Sequence, residues 1–229
     1  MAITNGLTMP EITAVGKRMT AAVLFFDLAR FTTTTSIFPQ EHTLYVLNLI
    51  IPVVMQTVRH WNGEIEKNTG DGIMAIFGTE TRNNATIARD VIECAMGIKY
   101  IMLNDVHSHL SALGLPEMDF RIGIDLGELL IARIGIPHNS FLTAVGDSAN
   151  RAAKVQTLAE NNGISVGEYM LHSLHPDLHQ YCEEGSDRSW NWRISGSTLP
   201  YRYFHFQGNF SEPKRTLMTP QANVLPRRW

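Results

Sequence analysis

The feature that most constrains this fold is the apolar run AAVLFFDL at residues 21–28, which carries the acid Asp27 near its end. A short, continuous apolar run is typical of a buried strand. A carboxylate beside so much hydrocarbon is costly unless it meets a cation or hydrogen-bond donors. The run therefore predicts a buried strand whose acidic end has a specific partner.

A second acid lies in a tight turn. Asp71 stands between Gly70 and Gly72, and predicted strands at 64–69 and 73–77 make this segment a hairpin. Two carboxylates at neighbouring strand ends suit hard divalent ions, and two such ions can assist a phosphoryl transfer. The residues alone leave a simpler interpretation open, in which Asp27 caps a turn and Asp71 fills a β-turn.

Hydrophobic periodicity gives the order of elements in the first half of the chain. A helix at 39–58 and a helix at 84–113 alternate with the first strand, the hairpin and a strand at 120–125. The order β-α-β-β-α-β is ferredoxin-like, with helices covering one face of an antiparallel sheet. Pro52 is predicted to bend or interrupt the first helix, because proline lacks an amide hydrogen and clashes with the preceding turn.

The second half adds further elements to the same sheet. We predict a helix at 147–159, a strand and a short helix after Gly163, and strands at 128–134, 141–145, 190–194 and 201–206. The fold class expected from this order is α+β, with one domain at residues 20–207. An arm at 1–19 and an extended tail at 208–229 flank that domain.

Composition excludes several classes of function. The net charge of −3, from 19 basic and 22 acidic residues, argues against a nucleic-acid-binding protein. No run approaches the roughly 18 apolar residues of a membrane helix. Cys94 and Cys182 form no CxxC motif or Cys/His cluster, so we expect a reduced, cytoplasmic protein without a membrane or nucleic-acid partner.

Four segments together resemble the catalytic domain of class III adenylate and guanylate cyclases. FFDLARFTTTT and GEIEKNTGDGIMAIFG are similar to the two metal motifs of that family. FRIGIDLGELLIARIG is similar to its paired strands, and FLTAVGDSANRAAKVQ to the segment that carries a catalytic asparagine. The motifs occur in the family's order and cover about residues 20–206. The resemblance implies that the ferredoxin-like core is extended into a cyclase catalytic domain.

The resemblance also implies roles for individual residues. Asp27, Asp71 and the carbonyl of Leu28 would bind two divalent ions, Mn²⁺ or Mg²⁺, per site. Backbone amides from Ala29 to Thr32, with Phe31 and Thr32 as the substrate-binding residues, would hold the terminal phosphates of a nucleoside triphosphate. Asn150 would orient the ribose, Lys154 stands where the family has arginine, and Arg193 takes the place of a triphosphate-binding lysine. Both halves of the site are present in one chain, so the resemblance implies a homodimer with two shared sites.

Two positions would read the base in this family. Lys67 and Thr143 occupy them, and Lys67 is compatible with a carbonyl acceptor on the base. Thr143 cannot supply the carboxylate that accepts a hydrogen bond from the amine of adenine. Uracil offers two carbonyls, so UTP is the preferred substrate, followed by CTP and ATP. Tyr45 would narrow the pocket against purines if it faced the base.

We expect no sensor or regulatory domain beside this one, and in this respect the chain resembles the Pycsar antiphage pyrimidine cyclases. That likeness implies that the product, cyclic UMP, signals to a downstream cyclic-nucleotide-responsive effector in antiphage defence. Two alternatives stay open, namely a non-catalytic cyclase-like module that dimerises or binds nucleotide and a ferredoxin-like RNA-binding module. The acidic charge disfavours the RNA-binding alternative, and the retained pair Asp27 and Asp71 disfavours the non-catalytic one.

Overall fold

A mixed β-sheet organises the molecule. The computed structural model describes residues 16–80, 83–136, 139–187, 190–194 and 196–210. In this part the sheet has eight strands in the order β2-β3-β1-β4-β6-β8-β7, and β5 pairs with a second stretch of β4. The strands are β1 (Lys17–Leu28), β2 (Gly63–Asn68), β3 (Gly72–Phe77), β4 (Phe120–Ile136), β5 (Asn139–Val145), β6 (Gly163–Gly167), β7 (Cys182–Glu184) and β8 (Tyr203–Phe206).

Helices cover both faces of this sheet. They are α1 (Phe31–Thr35), α2 (Gln40–His60), α3 (Asn84–Ile101), α4 (His107–Ala112), α5 (Asp147–Thr157), α6 (Glu168–Ser173) and α7 (Pro176–His179). A π-helical turn at Met102–Val106 joins α3 to α4, so the helix predicted at 84–113 is present with a local change of pitch. None of the described helices is long and apolar enough to cross a membrane.

The ferredoxin-like prediction is confirmed for the first half of the chain. The strands β2, β3, β1 and β4 are neighbours in that order, and each neighbouring pair is antiparallel. The second half of the chain makes the sheet mixed and covers its other face. The strand β6 runs parallel to β4, and α5 lies on the face opposite α2 and α3.

The alternation of side chains along β1 decides which face carries the site. Leu24, Phe26 and Leu28 pack into the main core with α2 and α3. Ala21 and Val23 pack on the other face, where α5 contributes Ala149 and Ala152. Because successive residues of a strand point to opposite faces, the side chain of Asp27 lies on the α5 face.

Three predicted elements differ from the structure. The strands predicted at 120–125 and 128–134 are one continuous strand, since β4 keeps register with β1 from Phe120 to Ile131. No turn forms at Gly127, which instead leaves room for the guanidinium of Arg151. The helix α2 continues through Pro52, whose side chain is exposed on its outer surface.

The C-terminal prediction also needs correction. Residues 190–194 form no strand; the indole of Trp190 donates to the Tyr201 carbonyl at 2.5 Å, and the Tyr201 amide donates to the Trp192 carbonyl at 2.8 Å. The sequence does not predict the strand β7, because it has only three residues. At the other end β1 begins at Lys17, inside the segment expected to be an arm, while residues 1–15 and 211–229 lie outside the described residues.

Candidate active site

The end of β1 and the tip of the β2–β3 hairpin lie together. Asp27 pairs with Gly72 across β1 and β3, and the Leu28 amide donates to the Asp71 carbonyl at 3.1 Å. A Cβ atom built on Gly72 would lie 2.9 Å from Oδ1 of Asp27, so a glycine is required for this close approach. The structure therefore brings the three predicted metal-binding residues to one corner of the sheet.

The charge of Asp27 is unfavourable in this corner. Burial and the neighbouring Asp71 carboxylate raise the pKa of Asp27 from 3.8 to about 6, whereas Arg121 and the side chain of Gln156 act in the opposite direction. Arg121 pairs with Asp27 across β1 and β4. Its Nη2 donates to Asn161 at 3.1 Å, but its buried Nε has no hydrogen-bond acceptor among the described residues.

Divalent ions fit this donor set. A cation between Asp27 and Asp71 would relieve the repulsion that raises the Asp27 pKa. The described residues contain no group of three or more His, Cys, Asp or Glu side chains suited to a metal. A site with two carboxylates and a carbonyl suits Mg²⁺ or Mn²⁺, because Mg²⁺ usually takes one or two carboxylates and completes its shell with water and substrate phosphates.

The loop after β1 leads from the acidic corner into a short helix. Arg30 adopts a left-handed conformation with φ of 56°, and α1 begins at the next residue, Phe31. The ring of Phe31 packs against the main core, while Thr32 is exposed. The Ala29 amide already donates to the Asp119 carbonyl at 2.8 Å. The amides of Phe31 and Thr32 are therefore better candidates for an anion than that of Ala29.

The predicted base-reading residues lie on β2 and β5. Lys67 in β2 pairs with Met74, whose side chain belongs to the α5 face, so Lys67 shares the face of Asp27. Its ammonium group is 3.4 Å from a carboxylate oxygen of Glu66. Thr143 in β5 pairs with Ala132 and lies between the exposed side chains of Phe141 and Val145.

Asn150 and Lys154 occupy the outer surface of α5. Residues four apart share one face of a helix, and both side chains are exposed. The ammonium of Lys154 lies 5.9 Å from the ring centroid of Trp192, which places it close to the segment that carries Arg193. Arg193 is exposed and belongs to no helix or strand.

The predicted residues therefore form two groups within one subunit. Gln156 is the residue of α5 that reaches Asp27, and it follows Lys154 by two positions. Two residues correspond to a rotation of roughly 200° around a helix with 3.6 residues per turn. Asn150 and Lys154 consequently point away from Asp27 and Asp71. A single subunit presents the two halves of the predicted site on different surfaces.

A buried ion pair fixes α5 against the sheet. Arg151 is 4% exposed and donates through Nε to Asp125, which is fully buried. The Tyr201 hydroxyl lies 2.9 and 3.0 Å from the two oxygens of Asp125. The guanidinium also stacks 4.7 Å from the ring centroid of Tyr169. Removing one partner of such a pair leaves an uncompensated buried charge, so this cluster stabilises the orientation of the helix.

Sequence reasoning missed several residues that lie near the acidic corner. Their position follows from the pairing of β1 with β4 and from the packing of α5, and they are Arg121, Gln156, Arg30 and Asp119. The glycine at position 123 is a sequence signal for the approach of α5, because a Cβ there would lie 2.3 Å from the Gln156 backbone. Glycine in a strand interior often marks the close approach of another backbone.

Tyr45 does not face the acidic corner of its own subunit. It packs against the main core on the side of α2 and α4, and its hydroxyl lies 2.8 Å from Nε2 of His109. The conditional role of Tyr45 in narrowing the base pocket is therefore not supported within the subunit. A separate cavity of about 410 Å³, which Arg151 and Tyr169 help to line, contains none of the predicted site residues.

The family assignment follows from comparison with known proteins. The family described as "Adenylate and Guanylate cyclase catalytic domain" matches residues 15–189. The chain belongs to this family. The match includes both acids and the helix that carries Asn150, and it stops before Arg193.

Curated relatives include cyclases with different named products. A cytidylate cyclase of Escherichia coli is 27% identical over 173 residues, which are 72% of this chain and 38% of that protein. The adenylate cyclase 1 of Rhizobium meliloti is 26% identical over 149 residues, which are 65% of this chain and 22% of that protein. The chain thus spans well under half the length of these relatives.

Solved cyclase structures share the fold. The guanylyl cyclase Cya2 superposes with a TM-score of 0.74 at 22% identity, over 89% of this chain and 99% of that chain. The adenylyl cyclase CyaB from P. aeruginosa gives the same TM-score at 18% identity, over 90% of this chain and 100% of that chain. These matches confirm the α+β class and the extension of the ferredoxin-like core.

Proposed function

We propose that this chain is a nucleotidyl cyclase that converts a nucleoside triphosphate to a 3′,5′-cyclic monophosphate and pyrophosphate. The observation that carries the proposal is the meeting of Asp27 and Asp71 at one corner of the sheet, beside the amides of Phe31 and Thr32. Membership of the cyclase family supports the same reaction. We assign the catalytic unit to residues 20–207.

In the reaction the ribose 3′-oxygen attacks the α-phosphorus, and the bond from that phosphorus to the leaving pyrophosphate breaks. Two divalent ions, held by Asp27, Asp71 and the Leu28 carbonyl, would activate the attacking oxygen and neutralise the leaving group. The amides of Phe31 and Thr32 bind the terminal phosphates, with Arg193 as a further phosphate contact. Asn150 orients the ribose, and Lys154 offsets the negative charge that develops around the α-phosphorus.

A homodimer would complete each site. The outward position of Asn150 and Lys154 supports this arrangement, because a two-fold partner can supply them to Asp27 and Asp71 of the first subunit. The hairpin of β4 and β5 offers an apolar surface for such a contact. Its exposed, cross-strand paired residues are Leu130 with Val145 and Ile134 with Phe141. Exposed apolar patches of this kind mark interaction surfaces.

A pyrimidine triphosphate is the proposed substrate, with UTP first, CTP second and ATP third. Lys67 donates to a base carbonyl and Thr143 contacts the ring edge. Relatives named cytidylate cyclase, in Escherichia coli and Staphylococcus aureus, support a pyrimidine, whereas the adenylate cyclases among the relatives keep ATP open. The product would act as a second messenger in antiphage defence through a cyclic-nucleotide-responsive effector.

Turnover of purified protein tests the proposal. Each of the four ribonucleoside triphosphates is incubated with Mn²⁺, and the products are separated by chromatography. We expect a cyclic monophosphate from UTP, with less from CTP and least from ATP. Asp27→Ala serves as the control that removes a metal ligand while the fold is retained. Nucleotide binding without any cyclic product would favour the non-catalytic module instead.

A further inference from the structure

The side chain of Asp119 links the start of β4 to the loop between β1 and α1 and to the turn between α5 and β6. Asp119 directly precedes β4, and its carboxylate accepts hydrogen bonds from Arg30 at 3.1 Å, Asn161 at 2.9 Å and Asn162 at 2.7 Å. Its backbone carbonyl accepts the Ala29 amide at 2.8 Å. Arg30 and Ala29 belong to the loop between β1 and α1, and the two asparagines belong to the turn between α5 and β6.

Two of these residues hold unusual backbone conformations. Arg30 has φ of 56° and Asn162 has φ of 61°. Non-glycine residues adopt the left-handed region at an energetic cost that the surrounding structure must offset. Asn162 is further fixed by two bonds to Phe120, from its amide to the carbonyl at 2.7 Å and from the Phe120 amide to its Oδ1 at 3.1 Å. Asp119 thus lies in a rigid junction.

We propose that Asp119 is a positioning residue, which through Arg30 and Ala29 holds the amides of Phe31 and Thr32 in the conformation that receives the triphosphate. This inference rests on the proposed function. Arg30 is the first residue before α1, so its backbone angles set the direction of the amides that follow. The guanidinium of Arg30 also offsets the Asp119 charge, which would otherwise repel an approaching phosphate.

Asparagine is the informative substitution. It keeps the shape of Asp119 but has a single oxygen acceptor, whereas the native carboxylate accepts from three donors through two oxygens. In Asp119→Asn at least one donor faces an amide NH₂ group, and the ion pair with Arg30 is lost. Arg30→Gly is the second variant, since glycine tolerates the positive φ and removes the side chain.

The first measurement is binding of inorganic tripolyphosphate with Mn²⁺, by titration calorimetry on the whole chain. We expect about tenfold weaker binding for Asp119→Asn and for Arg30→Gly than for the unmodified chain, because both variants lose the Arg30–Asp119 ion pair. Glu184→Gln is the matched control, because Glu184 pairs with Arg202 at 2.7 Å in an exposed ion pair outside the proposed site. Equal affinity in all chains, or no binding by the unmodified chain, overturns the proposal.

The second measurement locates the effect within the dimer. Chains with Asp27→Ala and chains with Asn150→Ala are mixed, so that only the mixed dimer contains one complete site. Asp119→Asn is then added to one chain or to the other. We expect at least about a fivefold loss of turnover when it accompanies the intact acids, and little loss when it accompanies the intact Asn150. Equal losses in both arrangements would show a general structural role and contradict the proposal.

Failure of the proposed function gives a different result. If the unmodified chain makes no cyclic product, the cyclase proposal fails, but the tripolyphosphate titrations still decide the role of Asp119. If the unmodified chain is active and the mixed dimers are not, the shared-site arrangement fails. The midpoint of thermal unfolding, measured for every variant, identifies any chain that has lost its fold.

Discussion

At the scale of single residues, Asp27 is held where its own charge is disfavoured. Its neighbours on the α5 face of β1 are apolar, and Asp71 adds a second negative charge. A cation bound between Asp27 and Asp71 would instead favour the ionised form of Asp27. The raised pKa is therefore a property of the metal-free subunit, and a function that requires an anionic Asp27 should fail as protons compete with the metal.

The pH dependence of stability follows from that shift. In the unfolded chain Asp27 has a pKa of 3.8 and in the folded chain about 6, so the folded state binds the extra proton between these values. Stability contributed by Asp27 is thus lost as the pH rises from about 4 to about 6. We expect metal-free Asp27→Asn to exceed the native chain in stability above that range by about 1 kcal/mol, a figure reduced for partial solvation.

Chemical unfolding at a series of pH values, in a chelator, measures this difference. Turnover of Asp27→Asn should fall at least about a hundredfold, because an amide is a poor ligand for a hard cation. A stability difference that grows toward lower pH would contradict the sign of the predicted linkage.

Thr143 gives a prediction about the base. A carboxylate there can accept from the exocyclic amines of adenine and cytosine, which a threonine hydroxyl does less strongly. With Thr143→Asp we expect the product ratios of CTP and ATP to UTP to rise about tenfold in a competition assay with equal nucleotides. Thr143→Val, the matched variant of similar size, should lower the turnover of UTP. It should not raise the product ratios of CTP and ATP to UTP.

At the scale of elements, the packing of α5 against the sheet depends on Gly123. A Cβ on Gly123 would lie 2.3 Å from the Gln156 backbone, so alanine would push the end of α5 from β4. We expect Gly123→Ala to lower the free energy of unfolding by about 1–3 kcal/mol. Turnover should fall as well, because α5 carries Asn150 and Lys154.

Gly97→Ala in α3 is the control for that substitution. The nearest atom to its new Cβ would be the Trp61 indole nitrogen at 3.3 Å, a contact that a small side-chain shift can relieve. Alanine also favours the helix by up to about 1 kcal/mol. Equal unfolding free energies for the two variants, measured in denaturant, would show that α5 is not seated as described.

The elements that sequence could predict are those with local signals. The apolar period of α2 and α3 and the glycine hairpin around Asp71 were read correctly. The division of β4 at Gly127 was wrong, because the space needed by Arg151 comes from a distant part of the chain. Three-residue β7 has no local pattern, and it exists through its pairing with β8.

Local sequence signals also separate the site residues that can be predicted from those that cannot. Asp27 and Asp71 carry a local signal, since each is an acid beside apolar strands. Arg121 and Asp119 carry none, because their relation to the corner is set by the register of β4 against β1 and by the turn after α5. The roles of Asn150, Lys154, Lys67, Thr143 and Arg193 stay predictions from family resemblance.

At the scale of the whole molecule, the exposed apolar surface of the β4–β5 hairpin predicts self-association. Phe141 is 64% exposed, directly opposite Ile134 at 54%. We expect the native chain to form a dimer and Phe141→Arg to be monomeric, with turnover at least about tenfold lower, since a charge at the centre of an apolar contact is desolvated without a partner. Light scattering and the turnover assay measure the two effects.

Leu113→Arg is the matched control, because Leu113 is 44% exposed and follows α4, which packs on the face of α2 and α3. Leu113→Arg should change neither the molar mass measured by light scattering nor the turnover. A monomeric Phe141→Arg chain with native turnover would refute the shared site. A cooperative thermal unfolding transition for this variant would show that the monomer is folded.

The strict alternation of β1 has a consequence for how this gene can vary. Adding or deleting one codon inside the strand would exchange its two faces beyond that point, and Asp27 would enter the layer of α2 and α3 while a large apolar side chain replaced it beside Asp71. Changes of even length preserve the parity, so the distance in residues from the start of β1 to its acid is constrained even where side-chain identity is free.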